Sequence, residues 1–327
     1  MNLGFGVRQK LILLKQMDAK NKLHFIAEAG IKSTVVELRK HDFTSGEFSH
    51  LNESWSNNPL AFKEIQVGEG TFTVGYKYYL KDVNNSGEET INYEAEKNPP
   101  IRYGIIDEER KINLNTAEED VLKRLFQNIV PLDDESATEL ACCVIDWRDE
   151  DSNFQNPAYG AEDSYYKNLE HPYKTKNAEY EILEELLLVK GMNGEIFDKA
   201  KDYLTVFGEG RININTASAE VLSALVLTNE LASKILFFRY GADLEEATLD
   251  DNIFTSSSNI ITELKKTIPL DLSEVAQLEV LISKGKLTTI SRNFMIKSTA
   301  KLDNRNITHQ ITAIVGCKGE IKYWQEE

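Results

Sequence analysis

Strand-like alternation appears twice in this 327-residue chain, and a long helical stretch separates the two occurrences. In "GTFTVGYKYYL", Phe72, Val74, Tyr76 and Tyr78 fall on one face, as in a half-buried antiparallel strand. In "NFMIKSTAKL", Phe294, Ile296, Ser298 and Ala300 do the same, and "ITHQITAIVG" and "EIKYW" follow as a hairpin-like pair. "VNNSGEE" reads as a turn, and "IRYGIIDEERKINLN" as a further strand and its exit. Between these strands helical periods dominate, over 117–129, 135–147, 178–189, 194–205, 217–227, 230–239 and 272–283. Strands on either side of such a block join one sheet most simply if the block is an insertion. The predicted fold class is therefore α+β, a long N-terminal helix with an antiparallel sheet, interrupted by a large inserted all-α domain. The predicted boundaries are 1–42 for the helix, 43–112 with 284–327 for the sheet domain, and 113–283 for the insertion.

Residues 3–40 read as one amphipathic helix. Leu3, Val7, Leu11, Leu14, Leu23, Ala27, Ile31, Val35 and Leu38 recur at three- and four-residue steps. At about 1.5 Å per residue, such a helix extends well past a small globule. A stalk reading competes with that of an ordinary core helix. If it is a stalk, its apolar stripe is longer than one domain can cover, which makes Val7, Leu11, Leu14, Leu23 and Ile31 candidate partner-binding residues. The pattern starts at Met1 with no N-cap before it, so a preceding anchor segment is expected. No run of about 18 apolar residues or signal peptide is visible.

The formal net charge is −16, which opposes contact with a phosphate backbone. Residues 1–42 carry eight Lys/Arg and four Asp/Glu, and the remainder carries 29 and 49. The basic stretch is thus a separate piece, and nucleic acid is not an expected partner.

One phrase occurs twice, "KINLNTAEEDVLKRL" from Lys111 and "RININTASAEVLSAL" from Arg211. Each copy runs from an extended piece into Asn-Thr-Ala and then a helix. Asn115, Thr116, Asn215 and Thr216 are the predicted helix caps, and Thr116 with Glu119 fits a capping box. The phrase is similar to the start of helix-hairpin-helix DNA-binding motifs. The glycine-rich hairpin of those motifs is missing, however, and the first copy continues with three acids. A DNA-uptake protein is the alternative function.

Catalytic patterns are scarce. The five histidines are scattered, and no G-x-S-x-G, P-loop, G-x-G-x-x-G or C-x-x-C occurs. Cys142, Cys143 and Cys317 form at most one disulfide, and three buried thiols fit as well. The loop "DWRDEDSNFQNPAYGAED" gathers Asp146, Asp149, Glu150, Asp151, Glu162 and Asp163. By itself it reads as a solvated acidic loop, and its spacing is not that of an EF-hand.

Taken together, "AEAGIKSTVVELR", "GEGTFTV", "INLNTA", "VIDWRDEDS…YGAEDSYY", "EILEELLLVKGM", "YLTVFGEGRININTAS" and "IKYWQEE" resemble the protein K family of the type II (general) secretion system. The resemblance covers nearly the whole chain. It implies a pilin-like fold with a helical insertion, in a minor pseudopilin at the tip of a short pseudopilus that supports pseudopilus assembly and protein export across the outer membrane. Other minor pseudopilins are the implied partners, with secreted proteins as further candidates. The full-length protein would be anchored in a bacterial inner membrane, with a periplasmic body that is soluble as the chain given. A structural and interaction role is expected, not an enzyme. The resemblance also implies calcium at the acidic loop, with Asp149, Asp151, Glu162 and Asp163 as the candidate ligands.

Overall fold

The protein is described by a computed structural model that covers residues 3–41, 48–78, 81–83, 89–91, 99–225, 228–303 and 307–327. The turn expected at "VNNSGEE" falls mostly outside these residues. Among the described residues, no helix is long and apolar enough to cross a membrane. The chain divides into two compact units, one built from 1–82, 90–107 and 291–327, the other from 83–89 and 108–290. The second unit begins and ends a few residues outside 113–283. The reason is that the short strands at 112–113 and 287–288 bond within it.

In the first unit, helix α1 (Leu3–Leu38) lies against an antiparallel sheet. The strands are β1 (Ile65–Val67), β2 (Gly70–Val74), β3 (Ile106–Asp107), β4 (Asn293–Leu302), β5 (Thr308–Gly316) and β6 (Ile321–Glu326). Their order is β1-β2-β4-β5-β6, with β3 paired to the start of β4. The alternation fixes the register, since a one-residue slip would turn every apolar side chain to the wrong face. Ser298 sits opposite Val74 and Ala300 opposite Phe72 on one side, while Ile296 sits opposite Ala313 on the other. Phe72, Val74, Phe294, Ile296, Ser298 and Ala300 are all buried. Trp55, from the loop before the sheet, is buried edge-on against Phe294 at 5.1 Å between ring centroids.

Helix α1 approaches the sheet most closely at Gly30. A Cβ there would lie 2.1 Å from Ser298 Oγ and 3.0 Å from the Phe72 ring. Gly30→Leu is therefore expected to destabilise this unit by about 1–3 kcal/mol or more through overpacking. A thermal melt checks this, and an unchanged midpoint would contradict the seating.

The second unit holds helices α2 (Glu119–Ile129), α3 (Asp134–Arg148), α4 (Gly194–Ala200), α5 (Ala219–Ala224), α6 (Asn229–Arg239), α7 (Ile260–Thr267) and α8 (Leu272–Ser283) around one apolar core. Several starts are set by local chemistry. Asp133 accepts from the Ser136 amide, Thr228 from Leu231, and Asp271 with Glu274 forms a reciprocal capping box. Two helical expectations are corrected, and one helix is added. Residues 178–182 are irregular and only Leu183–Leu188 form a 3-10 turn, at whose start the Glu185 carboxylate folds back onto the amides of Glu181 and Ile182. The segment 194–205 leaves the helix after Ala200 and pairs Leu204–Thr205 with Ile112–Asn113. Helix α7 arises where no helix was expected.

Candidate functional site

The repeated phrase builds the same device twice. Asn113 Oδ1 accepts from the Asn115 amide at 2.7 Å, and Asn213 Oδ1 from the Asn215 amide at 3.0 Å. These short turns aim the second asparagine across the core. Asn115 grips the backbone of Tyr180, accepting from its amide at 2.8 Å and donating to its carbonyl at 3.0 Å. Asn215 grips Phe254 in the same way, with both bonds at 2.9 Å. Each side chain thus stands in for one residue of a β-ladder. Arg148 and Arg239, the last residues of α3 and α6, then bond the carbonyls of Ala117 and Ala217. Finally, each copy is closed by a parallel two-residue pairing, Ile112–Asn113 with Leu204–Thr205 and Ile212–Asn213 with Leu287–Thr288.

This corrects the cap assignment. Helix α2 starts at Glu119 after Glu118, and α5 at Ala219 after Ser218, and neither has a side-chain cap bond. The Asn-Thr-Ala residues form a tight turn before the helix, with the amides at 116 and 117 bonded to the Asn113 carbonyl and those at 216 and 217 to Asn213. Thr116 is exposed, and the Thr216 hydroxyl donates weakly to the Asn213 carbonyl at 3.4 Å. The phrase spends its polar groups on the fold, and the DNA-binding alternative gains no support.

The acidic loop follows α3. Asp146 is buried and organises it, accepting from the amides of Gln155 at 2.6 Å and Ala161 at 2.7 Å. Glu162 is 3% exposed, yet neither carboxylate oxygen makes a well-formed hydrogen bond among the described residues, and the Thr175 hydroxyl and Asp163 amide near it offset its burial only in part. Asp149 Oδ1 and Asn177 Oδ1 also lack a hydrogen-bond partner among the described residues. Burial, then the charges of Asp146 and Asp149, push the Glu162 carboxyl up to about 7. Burial, then Asp146 and Asp151, push Asp149 up to about 6. Buried oxygens left unpaired are costly. A set made only of such oxygens on a loop suits a hard divalent cation.

Of the four candidate ligands, Asp149 and Glu162 meet this description. Asp151 is exposed and accepts from the Asn153 amide, while its carbonyl holds the Asn177 side chain at 2.9 Å. Asp163 is occupied elsewhere: Lys167 lies at 2.5 Å and Thr175 donates its amide at 3.0 Å, and the Lys167 bond holds its carboxyl below the usual range. Asn177 was not foreseen. It adopts a positive φ of 50°, and its amide donates to the Trp147 carbonyl at 3.1 Å, bringing a distant loop to the end of α3. An asparagine tolerant of left-handed backbone was its only sequence signal.

The candidate partner face divides in two. Val7, Leu11 and Leu14 are exposed, at 54%, 53% and 60%. Leu23 and Ile31 are not available to a partner, because Ala19, Leu23, Ile26, Ala27, Ile31 and Leu38 form the buried stripe that meets the sheet. All three cysteines are free, and burial pushes the thiols of Cys142 and Cys143 up to about 12. That makes them poor nucleophiles.

Residues 104–209 match the family model described as type II secretion system (T2SS), protein K. A protein K of this system from Aeromonas hydrophila is 32% identical over 97 residues, which span 29% of this chain and 29% of the relative. A chain in the crystal structure of the GspK-GspI-GspJ complex from the enterotoxigenic Escherichia coli Type 2 Secretion System shares the fold. Its TM-score is 0.64 at 17% identity, covering 98% of this chain and 99% of that one.

Proposed function

We propose that this chain, which carries a protein K domain of the type II secretion system at residues 104–209, is a minor pseudopilin. In this reading it sits at the pseudopilus tip, assembles with other minor pseudopilins and supports protein export. Its full-length form is anchored in the inner membrane with a periplasmic body, and its role is structural. The observation that carries the reading is the protein K domain joined to a fold shared, over nearly the full length of both chains, with a member of a pseudopilin complex.

The assembly surface is the first half of α1. Val7, Leu11, Ile12, Leu13, Leu14 and Met17 are all more than half exposed, an apolar density that a lone surface helix does not carry. Helix-on-helix burial would cover it. Joint Val7→Glu and Leu14→Glu is expected to change stability by no more than about 0.5 kcal/mol per site and to weaken co-purification with the partner pseudopilins. Undiminished co-purification would count against this face.

The acidic loop is the calcium site in this proposal, with the unpaired oxygens of Asp149, Glu162 and Asn177 as its candidate ligands. The cation would supply the positive charge that these buried oxygens lack, and so fix the loop to the end of α3.

A further inference from the structure

A second group of possible ligands lies in the first unit, far in sequence from the acidic loop. His24 lies on α1, His309 on β5 and Glu326 on β6. One ligand atom from each lies within 4.8 Å of the others. His24 Nδ1 is 3.2 Å from Glu326 Oε2, and His309 Nε2 is 3.4 Å from the same oxygen. Zinc bonds nitrogen and carboxylate oxygen at about 2.0–2.1 Å, so adjacent ligands of a tetrahedron stand about 3.3 Å apart. Both distances match that edge, and the partly exposed His24 ring has the freedom to close the third.

Two further observations favour a ligand over a plain ion pair. His309 is 7% exposed, and its Nε2 makes no well-formed hydrogen bond among the described residues, meeting Glu326 Oε2 only at 3.4 Å. A buried ring nitrogen left this way is costly, and a metal would satisfy it. Trp324 Nε1 donates to Glu326 Oε1 at 3.0 Å, which leaves Oε2 to face both imidazoles. That is the outer hydrogen bond that commonly orients a ligating carboxylate.

We propose that His24, His309 and Glu326 bind a first-row transition-metal dication, zinc foremost, with water in the fourth position. Two imidazoles and one carboxylate suit zinc and not calcium, which takes six to eight oxygens. Bound metal joins α1 to the two C-terminal strands, tying the helix to its sheet beside the buried Leu23.

The test is calorimetric titration of the EDTA-stripped chain with zinc in excess calcium, which keeps oxygen sites filled. One equivalent is expected to bind and to raise the melting midpoint. His24→Ala and Glu326→Gln should each abolish saturable uptake, and Trp324→Phe should weaken it roughly 10–100-fold. Cobalt in place of zinc should give the intense visible bands of a tetrahedral site, lost in His24→Ala. Glu162→Gln, at the acidic loop, should leave zinc uptake unchanged. No uptake by the wild type, or uptake that survives both His24→Ala and Glu326→Gln, overturns the proposal. His309→Ala is a third arm that removes a buried ring, so the less buried His24 and Glu326 decide the outcome.

Discussion

Replacing Glu162 by glutamine is expected to stabilise the calcium-free protein above neutral pH and to remove its response to calcium. Glu162 is buried with neither oxygen in a well-formed hydrogen bond among the described residues, beside Asp146 and Asp149. In the folded chain its carboxyl is pushed up to about 7 from an ordinary 4.5, and that of Asp149 to about 6 from 3.8. A raised carboxyl pKa means that the folded state holds the proton longer than the unfolded state does. Between about pH 4 and 7 the folded chain binds more protons, so the contribution of these groups to stability falls as pH rises and is lowest above pH 7. Calcium at the proposed site would reverse this by giving the charged form a partner. At a hundredfold excess over its dissociation constant it should add about 2.7 kcal/mol, a rise in melting midpoint of about 5–10 °C for a unit of this size. Melts of wild type and Glu162→Gln at pH 5 and pH 8, with calcium and with chelator, check all of this together. A wild type indifferent to calcium at pH 8 would return the loop to a solvated acidic turn.

Asn215→Ala is expected to be the most damaging single change in the helical unit. Asn215 is buried and makes both backbone bonds of Phe254. Its removal orphans a buried amide and a buried carbonyl, each costing about 1–3 kcal/mol. The sum, about 2–6 kcal/mol, should appear in a denaturant melt. Asn215→Asp should be little better, since it keeps the acceptor but sets a carboxylate against the Phe254 carbonyl. Thr116→Ala separates this clamp from a helix cap. A cap would cost about 0.5–2 kcal/mol, whereas the exposed Thr116, which caps nothing, should cost less than about 0.5. A large loss at Thr116 with a small one at Asn215 would reverse the assignment.

The sheet was legible because its information is local and periodic. Phe72 and Val74, and Phe294 through Ala300, announce a buried face at every second residue, and the same pattern rules out slipped pairings. The repeated phrase was legible as a repeat but not in its role. The partners of Asn115 and Asn215 lie at Tyr180 and Phe254, and no local signal links an asparagine to a backbone group so far along the chain. The matching Trp147-Arg148 and Phe238-Arg239 pairs carried part of the signal, since each arginine returns to the alanine of its own phrase. Residues 178–189 have helical apolar spacing, but the tie of Tyr180 to Asn115 and the Glu185 fold-back outweigh that weak propensity. At the acidic loop, composition pointed to the region, yet which acids stay unpaired depends on Lys167, Thr175 and Asn177. Along α1, periodicity identified an apolar stripe but not where the sheet stops covering it, between Met17 and Ala19.

The proposed pseudopilin role, with assembly through α1, is tested most directly by sedimentation of this chain mixed with the periplasmic parts of the two minor pseudopilins from the same organism that correspond to GspI and GspJ. The predicted result is one faster-sedimenting species containing all three chains. Three boundaries that sediment as they do alone, at concentrations where each chain is folded, would contradict it.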